Sequence, residues 1–138
     1  MHFDVFNGDA DGILALHQYR LQTPEPDATL VTGVKRDIKL LDTIKNQQNN
    51  SITVFDISLD SNRASLLLLL DQGNEITYID HHFAGNIPDT EKLRVHIDPS
   101  PTICTSLIVD KMLKGKYRAW AVAAAYGDNL HDSAEEAA

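Results

Sequence analysis

A doubly wound α/β fold is what this sequence predicts, on three observations. Short apolar, β-branched runs alternate with helix-like segments along the chain, as crossover units of a parallel sheet require. Several of those runs stop abruptly at acidic residues, with Asp56 after Ile52–Phe55 and Asp80 after Ile76–Ile79. No internal repeat, linker or low-complexity stretch divides the 138 residues, which suffice for one domain with its own core. The expectation is a three-layer, Rossmann-like fold: a mainly parallel five-stranded sheet with helices on both faces.

The elements follow in order. His2 to Phe6 reads as a first strand, Asn7–Gly12 as a tight turn and Ile13–Leu21 as a helix. Thr23–Asp27 is a loop. Ala28 to Val34, with Thr29, Val31 and Val34 suited to a sheet, forms a second strand. Asp37 suits the N-cap of a helix bearing Leu40, Leu41 and Ile44 on one face. After the polar turn Asn46–Asn50 comes a third strand, Ile52–Phe55. Asp60 or Ser61 then caps a helix whose Leu66–Leu70 run is apolar nearly all round, so much of it should be buried; Gly73 fits its C′ position. Ile76–Ile79 is the fourth strand, and Phe83–Lys92 an exposed loop. Leu93–Ile97 alternates strictly as a fifth strand. Asp98–Thr102 breaks it and caps a helix with Ile103, Leu107, Ile108 and Met112 on its apolar face, closed by Gly115. Tyr117–Tyr126 is a last full helix, packing its alanines and Trp120, and Ser133–Ala138 begins another.

Net charge is -8 and the pI about 5.0. A balance this acidic argues against gripping long duplex nucleic acid through a basic face, and there is no aromatic-rich basic groove for single strands. It leaves room for a small anionic substrate held through metal. Hydrophobic content of 43% and charged content of 23% fit a soluble globular chain without a bilayer-spanning run. The single Cys104 and the lack of a signal peptide fit a reducing cytoplasm.

The chemistry concentrates at strand ends. Asp9 and Asp11 lie two apart on the first turn, where a bent backbone aims both carboxylates at one point. Like charges crowd at a cost, and a bound cation is the usual compensation. The plainer alternative is a helix N-terminus, with Asp11 as N-cap and Asp9 favouring the dipole. The Asp-x-Asp-Gly start also opens calcium loops, but Gln18 or Tyr19 stands where such a loop ends in an acid. Asp80-His81-His82 joins a carboxylate to two imidazoles, ligands for manganese, iron or zinc. A doubly wound sheet gathers Asp9, Asp11, Asp56, Asp80, His81 and His82 on one edge. Lys35 and Arg36 share that rim, either to hold a substrate phosphate or as a solvated charge pair. The amides of the helix after Pro101, with the Thr102 or Thr105 hydroxyl, form a natural anion cradle. His17 and His96 read as structural histidines. A receiver-like fold would also gather acids, but Asp98-Pro99 stands where it needs a lysine.

Asp-x-Asp-Gly after the first strand, Asp ending the third, Asp-His-His ending the fourth and an acid after a later helix resemble the DHH phosphoesterases. The resemblance covers nearly the whole chain, as that family's N-terminal catalytic domain, and makes residues 1–138 a single domain preceding a C-terminal substrate-binding one. It implies hydrolysis of phosphodiester or phosphoanhydride bonds with two divalent cations, commonly Mn2+ with Mg2+ as the alternative. It implies Asp9, Asp11, Asp56, His81 and Asp128 as metal ligands, with Asp56 bridging. Asp80 would orient the neighbouring imidazole and His82 would meet the substrate phosphate, making Asp56, Asp80 and His82 the catalytic set. The partner implied is a small phosphorylated compound or short single-stranded oligonucleotide. One position departs: the family's histidine two or four residues before the first Asp is here Asn7 or Val5. An impaired metal- or nucleotide-binding module is the competing expectation.

Overall fold

The computed structural model describes residues 1–138. Five strands, β1 (His2–Asn7), β2 (Thr29–Gly33), β3 (Ser51–Phe55), β4 (Glu75–Asp80) and β5 (Leu93–Ile97), pair in the order β2-β1-β3-β4-β5. All four pairings are parallel, as the alternation of strands and helices predicts. From β1 the chain steps outward to β2 and then crosses back to β3. The switch point, where such folds bind ligands, therefore lies between β1 and β3.

The register aligns the polar strand ends. Phe6 pairs with Phe55 and Phe55 with Ile79. The next residues on those strands, Asn7, Asp56 and Asp80, consequently emerge level with one another.

Each sheet face carries its own core. On one, Val5, Ile52, Val54, Ile76 and Tyr78 pack against Leu66 and Leu69 of α2 (Leu59–Asp71) and a short 3₁₀ helix, Leu40–Ile44. On the other, Phe6, Phe55 and Ile79 meet Ala15 of α1 (Ala10–Gln22) and Val109 of α3 (Thr105–Met112). Burying each such aliphatic side chain is worth about 1.5–3 kcal/mol. Helix α4 (Arg118–Gly127) contacts both α1 and α3, and α5 (His131–Ala137) leans on α4. Beneath α1, Arg20 Nε donates to buried Asp4 Oδ2 at 2.9 Å and ties the helix to β1.

Several local expectations are corrected. Helix α1 is capped by Asp9, whose side chain accepts from Gly12 N, and not by Asp11. Asp37 caps no helix: its carboxylate accepts from Val34 N and closes a turn, because the chain after it makes only the 3₁₀ segment. Ser58 caps α2, accepting from Ser61 N, in place of Asp60 or Ser61. Within the Leu66–Leu70 run, Leu67 and Leu68 are exposed, since only one side of α2 meets the sheet. Helix α3 begins at Thr105; Leu107, Ile108 and Met112 pack half-buried against the cores as periodicity predicts, but its buried residues also include the polar Thr105, Ser106 and Asp110. Trp120 lies exposed, its ring edge-on to His17 at 4.8 Å.

Gly12 explains how α1 starts so close to the sheet. A Cβ there would stand 2.1 Å from the Asn7 carbonyl oxygen. Main chain cannot yield as a flexible side chain does, so Gly12→Ala is expected to destabilise the fold by roughly 2–4 kcal/mol. Urea unfolding measures it; a cost below about 1 kcal/mol would show that the turn relaxes freely.

Candidate metal centre

The C-terminal edge of the sheet carries a cavity of about 280 Å³ without a single hydrophobic lining residue. Asn7, Asp9, Lys35, Asp56, His81, His82, Gly127, Asp128 and Asn129 line it. At its heart His81 Nε2 lies 3.1 Å from Asp56 Oδ1, 3.6 Å from Asp11 Oδ2 and 3.8 Å from Asp128 Oδ2. Carboxylates from the first turn of α1, the end of β3 and the C-terminus of α4 thus converge on one imidazole from the end of β4.

Asp56 is the most constrained of these residues. It sits one step past β3 with φ +64°, a left-handed conformation that non-glycine residues adopt at a cost. Its amide donates to Ile79 O at 3.0 Å, and Thr105 Oγ1 donates to its Oδ1 at 3.0 Å. The next carbonyl, of Ile57, accepts from the hydroxyl of fully buried Tyr78 at 2.7 Å. Burial, together with the facing Asp11 and Asp9 carboxylates, pushes the Asp56 carboxyl up to about 10. Without a cation this group retains a proton.

Asp11 is wholly buried and does two things. Its Oδ2 and Oδ1 accept from the amides of Thr105 (2.9 Å) and Ser106 (2.8 Å), and Ser106 Oγ donates to its backbone carbonyl (2.9 Å). The first amides of α3, read from sequence as an open anion cradle, are therefore already occupied by a carboxylate of the same protein. Thr105, offered in that reading to an anion, serves Asp56 instead. Asp11 Oδ2 also faces His81 Nε2 at 3.6 Å, with a further lone pair to offer.

Asp80 is fully buried. Its Oδ1 pairs with His82 Nδ1 at 2.7 Å, so the imidazole it orients is that of His82. That bond comes first among the causes that raise the His82 pKa above its ordinary value. Asp80 Oδ2 has no hydrogen-bond partner. The two imidazoles lie with ring centroids 4.3 Å apart. Asp128, at the C-terminus of α4, is delivered by close packing of that helix on α1, where a Cβ on Gly127 would stand 3.3 Å from Ala10 Cβ. Desolvation, then the Asp11 charge, raise its pKa.

Of the remaining expected residues, Lys35 reaches the cavity. Arg36 lines a separate cavity with Thr32, Asp37 and Thr43, and Thr102 a third beside Arg118 and Ser133. Asn7, standing where the resembled family places histidine, accepts from Asp9 N through Oδ1 at 3.1 Å and donates from Nδ2 to Lys35 O at 3.0 Å. It ties the first turn to the end of β2. Sequence reasoning does not find Ser106; the available signal was a polar pair, Thr105-Ser106, just before the apolar run Leu107–Val109.

The donor set fits a divalent cation. Ligand atoms of Asp56, Asp80, His81 and His82 lie within 4.8 Å of one another, as do those of Asp11, His81 and Asp128. Crowded buried carboxylates and an orphaned Asp80 oxygen are what a cation would reconcile.

Fold and cluster together define a doubly wound α/β domain with a carboxylate–imidazole centre at its switch point. Among solved structures the chain is similar to exonuclease RecJ bound to manganese, with TM-score 0.61, 16% identity, and 99% of this chain and 41% of that one covered. It is similar also to RecJ from Thermus thermophilus in complex with Mn2+ (TM-score 0.60, 15% identity, 99% and 23% covered). An uncharacterized protein from Helicobacter pylori matches at TM-score 0.52 and 17% identity, with 85% and 37% covered. At such identities the likeness is one of fold, and the fold is the one that the resemblance to DHH phosphoesterases implies. The chain spans less than half the length of each of these structures. No family model matches it, and no curated protein does. No helix is long and apolar enough to cross a membrane.

Proposed function

We propose that this domain is a divalent-metal-dependent phosphoesterase, acting on phosphodiester or phosphoanhydride bonds of a small phosphate compound or short single-stranded oligonucleotide. The observation that carries the reading is His81 Nε2 facing Asp56, Asp11 and Asp128 within a wholly polar cavity. In this reading Asp9, Asp11, Asp56, His81 and Asp128 would hold two cations, and Asp56 would serve both. Cations bound there supply Lewis acidity, neutralising charge at a phosphate and making water a nucleophile near neutral pH. The manganese of the RecJ structures favours Mn2+, with Mg2+ as the alternative.

The chain's own residues do the rest. Asp80 holds the proton on His82 Nδ1, which leaves Nε2 for a substrate phosphate. Its raised pKa keeps His82 cationic to higher pH, suiting it to donate to an anion. Lys35 adds positive charge at the rim. Thr105 fixes Asp56 so that its carboxylate does not swing away from His81. A further domain, completing the grip on substrate, belongs to the same reading. The acidic net charge supports exclusion of long duplex nucleic acid, and the buried, unpaired Cys104 supports a reducing, cytoplasmic setting.

Manganese calorimetry beside hydrolysis of bis-p-nitrophenyl phosphate tests the proposal, with His81→Ala as control. Two bound ions and metal-dependent turnover are expected, both lost in the variant. Turnover that survives His81→Ala would sink the site assignment. A second reading, a binding module with impaired catalysis, draws on Asn7, whose amide oxygen is engaged by the Asp9 amide where an imidazole is expected. Metal binding without turnover on any phosphoester would favour it.

A further inference from the structure

We propose that Phe83 is a specificity-determining residue: an aromatic platform at the rim of the metal cavity, on which a flat ring of the substrate, such as a nucleobase, stacks beside the phosphate. The inference rests on the phosphoesterase reading above and names the part of the substrate that the cavity itself does not recognise.

The cavity lining contains no hydrophobic side chain, so it suits phosphate better than the organic part of an ester. That part must rest at the rim. Phe83 directly follows His82, a lining residue, so their Cα atoms are about 3.8 Å apart. Its exposure is 72%, the highest of any large hydrophobic residue after the N-terminal Met1.

A lone exposed aromatic ordinarily needs no explanation on a protein surface. Phe83 differs because its backbone is fastened on both sides. Before it, Asp80 is buried and bonded to His82. After it, Ala84 is buried in the core. Arg63 clamps the following turn: Nη2 donates to the carbonyls of Ala84 (2.5 Å) and Asn86 (2.9 Å), and Nε donates to Asn86 (3.1 Å). Its Nη1 donates to Asp60 Oδ1 at 2.6 Å, which anchors the guanidinium to α2. Gly85, at φ +65°, permits this approach, since a Cβ there would come within 2.7 Å of Arg63 Nη2. The loop is thus braced while its one aromatic ring is left in water. Base–aromatic stacking of this kind strengthens binding by about 5- to 100-fold per base and tolerates any base, because every base has a π-face.

The test compares pTpT with an analogue of the same backbone in which both bases are absent, using the full chain with Mn2+. Equilibrium binding is the primary readout and turnover the second. The parent is expected to bind pTpT at least about tenfold more tightly than the abasic analogue. Phe83→Ala should remove that difference by weakening pTpT alone, Phe83→Leu should not restore it, and Phe83→Trp should. In turnover the loss should fall on KM, with kcat and the hydrolysis of the abasic analogue unchanged. If the parent binds both compounds equally or neither, or if Phe83→Ala weakens both alike, the platform is refuted. A Phe83-dependent preference for pTpT without hydrolysis would uphold the platform while overturning the phosphoesterase reading.

Discussion

Asp56→Asn is expected to abolish metal-dependent hydrolysis, by about 10³-fold or more, while making the metal-free protein more stable than its parent. In the proposed reading the loss would follow from removing a charged ligand common to both cations. The gain follows from proton linkage. The Asp56 carboxyl is raised from 3.8 to about 10 in the folded chain, chiefly by burial and then by Asp11 and Asp9. Between those values the unfolded chain has released its proton and the folded chain has not. The folded state then binds more protons, so stability falls as pH rises across that window. Asparagine carries no such penalty. Its advantage is expected to be absent below about pH 4 and to grow above it. At neutral pH relief of a frustrated buried carboxyl is worth about 1–3 kcal/mol, or roughly 5–10 °C in melting temperature. Asparagine also tolerates the left-handed backbone at this position, and its Oδ1 can still accept from Thr105. Manganese should raise the melting temperature of the parent and not of the variant. Because a cation must displace the Asp56 proton, affinity should rise by up to about tenfold per pH unit below about pH 10. Thermal unfolding from about pH 5 to 9, with and without Mn2+, reads all of this. A metal-free variant no more stable than the parent at about pH 8 would mean that the carboxylate is not under strain.

Asp11→Ala is expected to be the costliest single carboxylate truncation, at about 3–5 kcal/mol in the absence of metal. Two buried amides, of Thr105 and Ser106, lose their acceptor together. Bonds to a charged acceptor are worth about 1.5–3 kcal/mol each, and α3 cannot turn those amides to water. Asp9→Ala is the internal comparison. It removes the cap on Gly12 N, an effect of about 1 kcal/mol, and with it one of the carboxylates that face Asp56, but no acceptor of α3. Denaturant unfolding of both variants without metal separates them. If Asp11→Ala costs no more than Asp9→Ala, the carboxylate does not hold α3 in place.

The legible parts of this molecule share a physical cause. Parallel strands are buried on both faces, so Ile52–Phe55 and Ile76–Ile79 are unbroken apolar runs, and the acid that ends each stands out against them. Asp56, Asp80 and His81 are therefore recognisable in the sequence as the polar edge of the sheet. Helix faces are less legible. Periodicity finds the apolar side of α3 but not the burial of Thr105 and Ser106, which follows because Asp11, more than ninety positions earlier, meets their amides. No local pattern encodes a partner so distant. The same holds for Asp128, which the spacing of its own helix does not mark and which reaches the cluster only because α4 packs on α1. Arg36 and Lys35 are adjacent in sequence, yet they are the two central residues of the turn in which Asp37 N donates to Val34 O, and they line different cavities.

The order in which the cluster's members occur along the chain bears on its assembly. All five strands are complete by Ile97, while Asp128 lies beyond two further helices. A nascent chain can therefore pair its whole sheet and bring Asp56 beside His81 before its last carboxylate has been synthesised. With Asp128 a ligand, as proposed, metal capture at full strength would be a late event, conditional on the docking of α4. Loading with cation would then report that the C-terminal third has reached its place, and a half-made chain would have little grip on the ions around it.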